Sequence, residues 1–251
     1  MRTLAVIPAR LGATRLPRKP LRQLAGLPLV VRVWKRVSEI GVAECVVVAT
    51  DSEEVAAAAA AHGATAVMTS HIHPSGTHRV AEVARRAEFA GFDVVVNVQG
   101  DEPFVSRGAV LGAAGMVTER RFPLGTAAVI ADERALGDPS VVKVVAADDG
   151  RAMYFSRAAI PYLREADDAR LQRSRIWQHL GVYAYTRDAL MQWVELPANP
   201  LDQIERLEQL RPLAAGIGIG VALVDEPARP GIDTEEDLER ANRDWVALTT
   251  G

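Results

Sequence analysis

The stretch Cys45-Val46-Val47-Val48-Ala49-Thr50-Asp51-Ser52-Glu53-Glu54-Val55, continued by the alanine run 56–61 and by His62-Gly63-Ala64-Thr65-Ala66-Val67-Met68, decides the fold. Its opening residues are apolar and β-branched and read as a buried strand. Asp51, followed three residues later by Glu54, reads as a helix N-cap with its reciprocal acid. Residues 52–62 form the helix, alanine being the strongest helix former, and Gly63 supplies the left-handed residue on which helices end. Residues 65–68 read as the next strand. A strand, a helix and a strand in this order imply a right-handed crossover between parallel strands.

Outward from this unit the alternation continues. Residues 3–8, 93–98 and 126–130 read as strands; 28–40, 77–90 and 106–120 read as helices, with Gly41 and Gly91 at helix ends. The expected class is α/β: a mostly parallel, Rossmann-like sheet with helices on both faces. In such sheets ligands bind beyond the carboxyl ends of the strands, so motifs that follow strands carry the most weight. The second half changes character. Residues 141–146 and 152–156 flank Asp148-Asp149-Gly150 as a hairpin, and a charged irregular stretch at 164–175 follows. Then come a strand at 181–185, helices at 188–194 and 201–215, a strand at 221–224 and a closing helix at 234–248. The expected organisation is a core of residues 1–131 and 221–251, with a smaller α+β insertion at 132–220.

Composition bounds the rest. Of 251 residues, 49% are hydrophobic and 24% charged, as in ordinary globular chains. The net charge of −3 argues against non-specific nucleic-acid binding, which depends on clustered excess cations. The longest apolar run, 55–61, is far short of a bilayer span, and the apolar residues 4–7 are too few for a signal-peptide core. A single cysteine, Cys45, rules out an intramolecular disulfide or a thiolate cluster. A cytoplasmic protein with no membrane insertion is expected.

The first strand runs into Arg10-Leu11-Gly12-Ala13-Thr14-Arg15-Leu16-Pro17-Arg18-Lys19-Pro20. Cations, a glycine and two prolines directly after a strand suit a phosphate cradle, and a solvated basic loop is the plain alternative. Lys19, Lys35 and Lys143 are the only lysines among 29 basic residues, so a lysine here runs against the chain's bias. After the most apolar strand comes Asn97-Val98-Gln99-Gly100-Asp101-Glu102-Pro103, where Asp101 is placed either to hold a hard cation beside a nucleotide phosphate or to cap a turn. Asp233 precedes Thr234, whose spacing to Asp237 makes a capping box; with Asp101 it could also form a two-carboxylate cation site. Ser75-Gly76-Thr77-His78-Arg79 opens a helix, either as an ordinary cap or as a site for a phosphate or base edge. His179 is a general base, a substrate hydrogen-bonding group or a packed histidine, and Glu208 and Gln209 lie on a helix face that is solvated by default.

Taken together, Ile7-Pro8-Ala9-Arg10, Thr14 to Pro20, Ser75-Gly76-Thr77, Gln99 to Pro103, Tyr154 to Ala158, His179-Leu180-Gly181, Leu207 to Arg211 and Asp233-Thr234 resemble the 3-deoxy-manno-octulosonate (Kdo) cytidylyltransferase family, also called CMP-Kdo synthetases. Each motif is weak alone; in register from residue 5 to about 240 they are specific. The resemblance implies a Rossmann-like nucleotidyltransferase fold, a homodimer built through the second-half insertion, dependence on Mg²⁺, and transfer of CMP from CTP to Kdo for lipopolysaccharide or capsule synthesis. It implies that Arg10, Arg15 and Lys19 grip the triphosphate, and that Ser75, Thr77, Arg79 and Gln99 surround the cytidine. Asp101 and Asp233 would hold the metal and, with Arg10 and Lys19, make up the catalytic set. Arg157, His179, Tyr183, Glu208 and Gln209 would recognise Kdo, Arg157 through its carboxylate. Three positions depart from the family pattern: Ala13 for serine, Arg18 for glycine and His78 for an acid. Arg18 is expected to restrict its loop to negative φ. Competing readings are transfer to 8-amino-Kdo or a sialic acid, a nucleotide-sugar-dependent glycosyltransferase, and a nucleotide-sensing module without turnover.

Overall fold

A computed structural model describes residues 1–12, 15–131, 133–162, 164–165, 176–229 and 231–249. Ala13, Thr14 and most of the charged stretch 164–175 lie outside the described residues. The chain divides into two compact units, Met1–Ser106 with Arg229–Gly251 and Arg107–Ala228.

The first unit is built on a parallel sheet. β1 (Thr3–Ala9) is buried along its whole length, and a hairpin of β2 (Gln23–Leu24) and β3 (Leu27–Pro28) follows. Ala25 and Gly26 turn that hairpin, both at positive φ. α1 (Leu29–Ile40) leads to β4 (Cys45–Thr50), α2 (Glu53–Ala60), β5 (Thr65–Met68), α3 (Gly76–Arg85) and β6 (Val94–Asn97). β1 pairs in parallel with β4 on one side and β6 on the other, and β4 pairs in parallel with β5. One face of α1 carries Val30 and Val31, which close with Val55 and Ala59 of α2 over Ala9 and Val48. Because β1 and β6 are parallel neighbours, the segments leaving Ala9 and Asn97 emerge at the same sheet edge.

The second unit has a mixed sheet. α4 (Arg107–Thr118) precedes β7 (Leu124–Ile130), which pairs in parallel with β11 (Ile219–Val224) and antiparallel with β10 (Trp177–Thr186). The short α5 (Glu133–Gly137) leads to the hairpin β8 (Lys143–Ala146) and β9 (Ala152–Ser156), and β8 pairs with β10. α6 (Arg187–Glu195), α7 (Pro200–Glu205) and α8 (Leu210–Ala214) fill the stretch between β10 and β11. A Cβ on Gly125 would lie 2.2 Å from the Ala113 carbonyl oxygen, so only glycine lets α4 sit this close to β7. In the second unit α4 and β7 pack with β10 and β11. The chain then returns to the first unit in α9 (Glu235–Arg243) and α10 (Trp245–Thr249).

Several local expectations are corrected. Ser52, not Asp51, caps α2, its Oγ accepting from the Val55 amide at 3.4 Å, while Asp51 pairs with Arg79. Gly41 and Gly63 adopt positive φ, whereas Gly91 does not. The helix expected over 77–90 stops at Arg85, because Arg86 is extended. The helix expected over 201–215 breaks at Arg206, which is left-handed at φ 55°; the second piece starts at Leu210, so Pro212 falls in a first turn, where no N–H is needed. β10 begins at Trp177 rather than 181 and contains a bulge between Leu180 and Tyr183. The closing helix is interrupted at Asp244.

Arg18 also overturns its expectation, standing at φ 57° and ψ 30°. A left-handed arginine costs about 1 kcal/mol that glycine does not pay. Its ion pair with Glu54 is exposed on both sides and returns little. Arg18→Gly should therefore raise the melting temperature slightly, with a net gain of at most about 0.5 kcal/mol once the added freedom of the unfolded chain is subtracted. A drop in melting temperature would show that the Glu54 pair outweighs the strain.

Candidate active site

A cleft of about 480 Å³ opens at the carboxyl edge of the first unit's sheet, lined among others by Arg10, Arg15, Lys19, Ser75, Gln99 and Asp101. Three chain segments build its charged end. The first is the basic loop after β1, where buried Leu16 anchors a short 3₁₀ turn over Lys19–Leu21. The second is the turn after β6, held against β1 by Gly100, where a Cβ would come 2.7 Å from the Pro8 carbonyl oxygen. The third precedes α9, where the Ile232 amide donates to the Asp101 carbonyl at 2.9 Å.

These segments meet at Lys19. Its Nζ donates to Asp101 Oδ2 at 2.6 Å and to Asp233 Oδ1 at 2.8 Å, while Arg15 Nη2 lies 3.0 Å from Asp233 Oδ2. Burial works against the Lys19 charge, yet the two carboxylates hold its pKa above the ordinary lysine value. Asp233 is aimed by a capping box: Thr234 Oγ accepts from the Asp237 amide, and Asp237 accepts from the Thr234 amide at 3.0 Å. Both carboxylates also act on Glu102. Burial, reinforced by Asp101 and Asp233 and opposed by Lys19, pushes its pKa up to about 8. In the sequence Glu102 stands out only as part of the Gln99–Pro103 motif.

The rest of the cleft is lined by Ser75, Gly76 and Gln99 and by His73 and Arg79, the last two each paired with an acid. Ser75 caps α3, accepting from the His78 amide at 3.4 Å, and its Oγ lies 2.9 Å from His78 Nδ1. Gln99 lines the cleft and donates from Nε2 to Asn97 Oδ1 at 3.3 Å. Thr77 is buried in the first turn of α3. Arg79 is 4% exposed, and its guanidinium is held by Asp51 at 2.9 Å and by Thr69, so it fixes the wall of the cleft. His73, which the sequence reading passed over, also lines the cleft and is bound through Nε2 to Glu82 at 2.5 Å.

Among the described residues, no group of three or more His, Cys, Asp or Glu is arranged to hold a metal ion. The donor pair nevertheless fits a hard divalent cation. Asp101 and Asp233 already converge on one positive charge, and Mg²⁺ commonly takes one or two carboxylates and completes its shell with phosphate and water oxygens.

The residues expected to recognise Kdo all lie in the second unit. His179 on β10 sits 5.1 Å from the Phe155 ring and 5.4 Å from the Tyr183 ring. Tyr183 also packs against Tyr185 and Trp193, and burial, with Tyr185 and Glu208 nearby, pushes its pKa well up. Gln209 is buried at the start of α8. Arg157 is tied to Glu205. Thr126 Oγ1 donates its one proton to the Val182 carbonyl at 2.7 Å, so His179 must donate from Nε2 to Thr126 at 2.8 Å, which leaves Nδ1 as an acceptor. Burial pushes the His179 pKa down to about 3. The group is thus a neutral hydrogen-bonding ring, not a cation. The unfolded chain binds this proton near the ordinary histidine value and the folded chain only near pH 3, so stability falls as pH drops through that window. Urea unfolding at pH 7 and pH 5 should show a smaller loss in His179→Gln than in the parent. An imidazole NMR signal titrating near 6.5 would contradict the assignment.

A family model described as cytidylyltransferase matches residues 4–219. A 3-deoxy-manno-octulosonate cytidylyltransferase of Gemmatimonas aurantiaca is 62% identical over 248 residues, covering 99% of this chain and 96% of its own. The protein of the same name from Leptothrix cholodnii is 47% identical, covering 95% of this chain and 89% of its own. A solved structure described as CMP:2-keto-3-deoxy-manno-octonic acid synthetase complexed with CTP matches with a TM-score of 0.91 at 38% identity, covering 98% of this chain and 99% of that one. With a parallel sheet, a basic loop and an acidic pair at one edge, and this degree of likeness along nearly its whole length, the chain belongs to the 3-deoxy-manno-octulosonate cytidylyltransferase family.

Proposed function

We propose that this protein transfers the cytidylyl group of CTP to Kdo, giving CMP-Kdo and pyrophosphate. The observation that carries the reading is the convergence of Asp101 and Asp233 on Lys19 at the basic end of a cleft in a chain so close to named Kdo cytidylyltransferases. The anomeric hydroxyl of Kdo loses its proton to solvent as its oxygen bonds to the α-phosphorus, and the bond from that phosphorus to the oxygen bridging to the β-phosphate breaks, its electron pair leaving with pyrophosphate. No enzyme nucleophile is needed, so the work is positioning and charge neutralisation.

Arg10, Arg15 and Lys19 line the charged end and hold the triphosphate. Ser75 and Gln99, which line the same cleft, and Thr77 in the first turn of α3 receive the nucleoside, against the wall braced by Arg79. Asp101 and Asp233 would hold Mg²⁺; when bound, the cation supplies neutralisation of phosphate charge and acidification of the acceptor hydroxyl. Lys19 then balances the same two carboxylates and keeps them aimed before substrate arrives. In the second unit Arg157 takes the carboxylate of Kdo, while His179, Tyr183, Glu208 and Gln209 define its hydroxyl face. A homodimer formed through that unit is part of this reading, supported by exposed Tyr162, Leu201 and Ile204. So is a cytoplasmic place in lipopolysaccharide or capsule synthesis. Among the described residues, no helix is long and apolar enough to cross a membrane.

Pyrophosphate release measured with CTP, Mg²⁺ and a panel of Kdo, 8-amino-Kdo and N-acetylneuraminate should occur with Kdo and cease with EDTA. Release with another acid alone would move the acceptor assignment; silence across the panel would overturn the activity. Asp101→Asn should lower kcat by at least ~100-fold while the KM for CTP changes by less than about threefold. An unchanged kcat would remove Asp101 from the reacting centre.

A further inference from the structure

Arg157 follows β9 and is held through its amide, its carbonyl, Nε and Nη1. Its amide donates to Glu205 Oε2 at 2.9 Å, and its carbonyl accepts from Lys143 Nζ at 2.7 Å. Its Nε donates to the Glu205 carbonyl at 2.9 Å, and Nη1 donates to the Pro139 carbonyl at 2.9 Å. The preceding Ser156 hydroxyl donates to Glu205 Oε1 at 2.5 Å. Among the described residues Nη2 has no partner, and the side chain is partly exposed. The result is a guanidinium locked in place with donors left over.

Lys143 explains how that lock is kept. It is wholly buried, and its three ammonium protons go to the carbonyls of Asp138 at 2.9 Å, Val141 at 2.6 Å and Arg157 at 2.7 Å. Two of those carbonyls bracket Pro139, whose own carbonyl takes the Arg157 side chain. Lys143 therefore fixes both the main chain of Arg157 and the turn that receives its guanidinium. Ser140 tightens the same turn, its amide and hydroxyl donating to Asp138 Oδ1 at 2.8 and 2.6 Å. Burying an ammonium is costly, and burial lowers the pKa of Lys143, with the Arg157 charge acting in the same direction. A buried lysine whose partners are all main-chain oxygens does little for a core that an apolar residue could fill. It does much for an arginine that would otherwise lose rotamer freedom when an anion binds.

We propose that Lys143 and Glu205 are positioning residues that preset Arg157 as the anchor for the carboxylate of the acceptor sugar. This rests on the reading of Arg157 as the partner of that carboxylate. Neither residue touches the acceptor; both act through Arg157.

The test is steady-state kinetics of the full-length protein with CTP and Kdo, run on Glu205→Gln, Lys143→Met and Arg157→Met, with the C1 carboxamide of Kdo as a competing ligand. Glu205→Gln keeps the side-chain volume but replaces one carboxylate acceptor with an amide donor. Glu205→Gln and Lys143→Met should each raise the KM for Kdo about tenfold, leave kcat and the KM for CTP within about twofold, and erase the preference for Kdo over its carboxamide. Should Lys143→Met fail to fold, Glu205→Gln decides alone. If Arg157→Met raises the KM for Kdo but Glu205→Gln does not, the positioning role is wrong while the anchor stands. If Arg157→Met leaves both the KM and the carboxamide preference unchanged, the anchor reading fails and this proposal falls with it. A loss of melting temperature accompanied by equal changes in both KM values would mean that the frame is only structural.

Discussion

The bridge from Lys19 to Asp101 and Asp233 is the constraint on which the first unit's site depends. Two carboxylates facing one cleft repel each other, and both also act on a third acid, Glu102, raising its pKa. One ammonium between the pair makes the arrangement tolerable, and its enclosure makes each contact stronger than it would be in water. The three segments it joins are far apart in the chain. Their approach is set by the parallel pairing of β1 with β6, by the missing side chain of Gly100, and by the main-chain bond from Ile232 to Asp101.

The second unit solves a different problem with the opposite means. Where the first unit gathers charges and balances them, the second holds an arginine with main-chain oxygens and a neutral histidine within an aromatic group. A neutral His179 can accept and donate hydrogen bonds without adding charge, and the bulge in β10 puts the Val182 carbonyl where Thr126 can fix the tautomer. Charge for the triphosphate and directional hydrogen bonding for a polyhydroxy acid are the two demands that a cytidylyl transfer to Kdo makes.

Much of this was legible in the sequence because the relevant signals are local. The Cys45–Thr50 strand, the alanine helix after it and the Thr234–Asp237 capping box follow from periodicity and spacing alone. The basic loop and the two acidic positions also declared themselves by following strands or preceding a helix. What escaped was set by tertiary packing. Asp51 looks like a cap, but the buried guanidinium of Arg79 outbids the amides of α2 for its carboxylate. Glu205 sits in a run that reads as a solvated helix face, and only the break at Arg206 frees its carbonyl for Arg157. Lys143 was visible as a rare lysine, yet nothing nearby in sequence says that its ammonium would be enclosed by three carbonyls. The closeness of α4 to β7 likewise depends on Gly125, a contact no periodicity reports.

The most direct test of the account is a double-mutant cycle on unfolding free energy with Lys19→Met, Asp101→Asn and the combination, measured by urea denaturation without divalent cations. A shared, partly enclosed ammonium predicts a coupling of about 1–3 kcal/mol, with Lys19→Met alone more damaging than the double variant. Additive effects, with coupling near zero, would mean that Lys19 does not hold the acidic pair together, and the explanation of the cleft would fail at its centre.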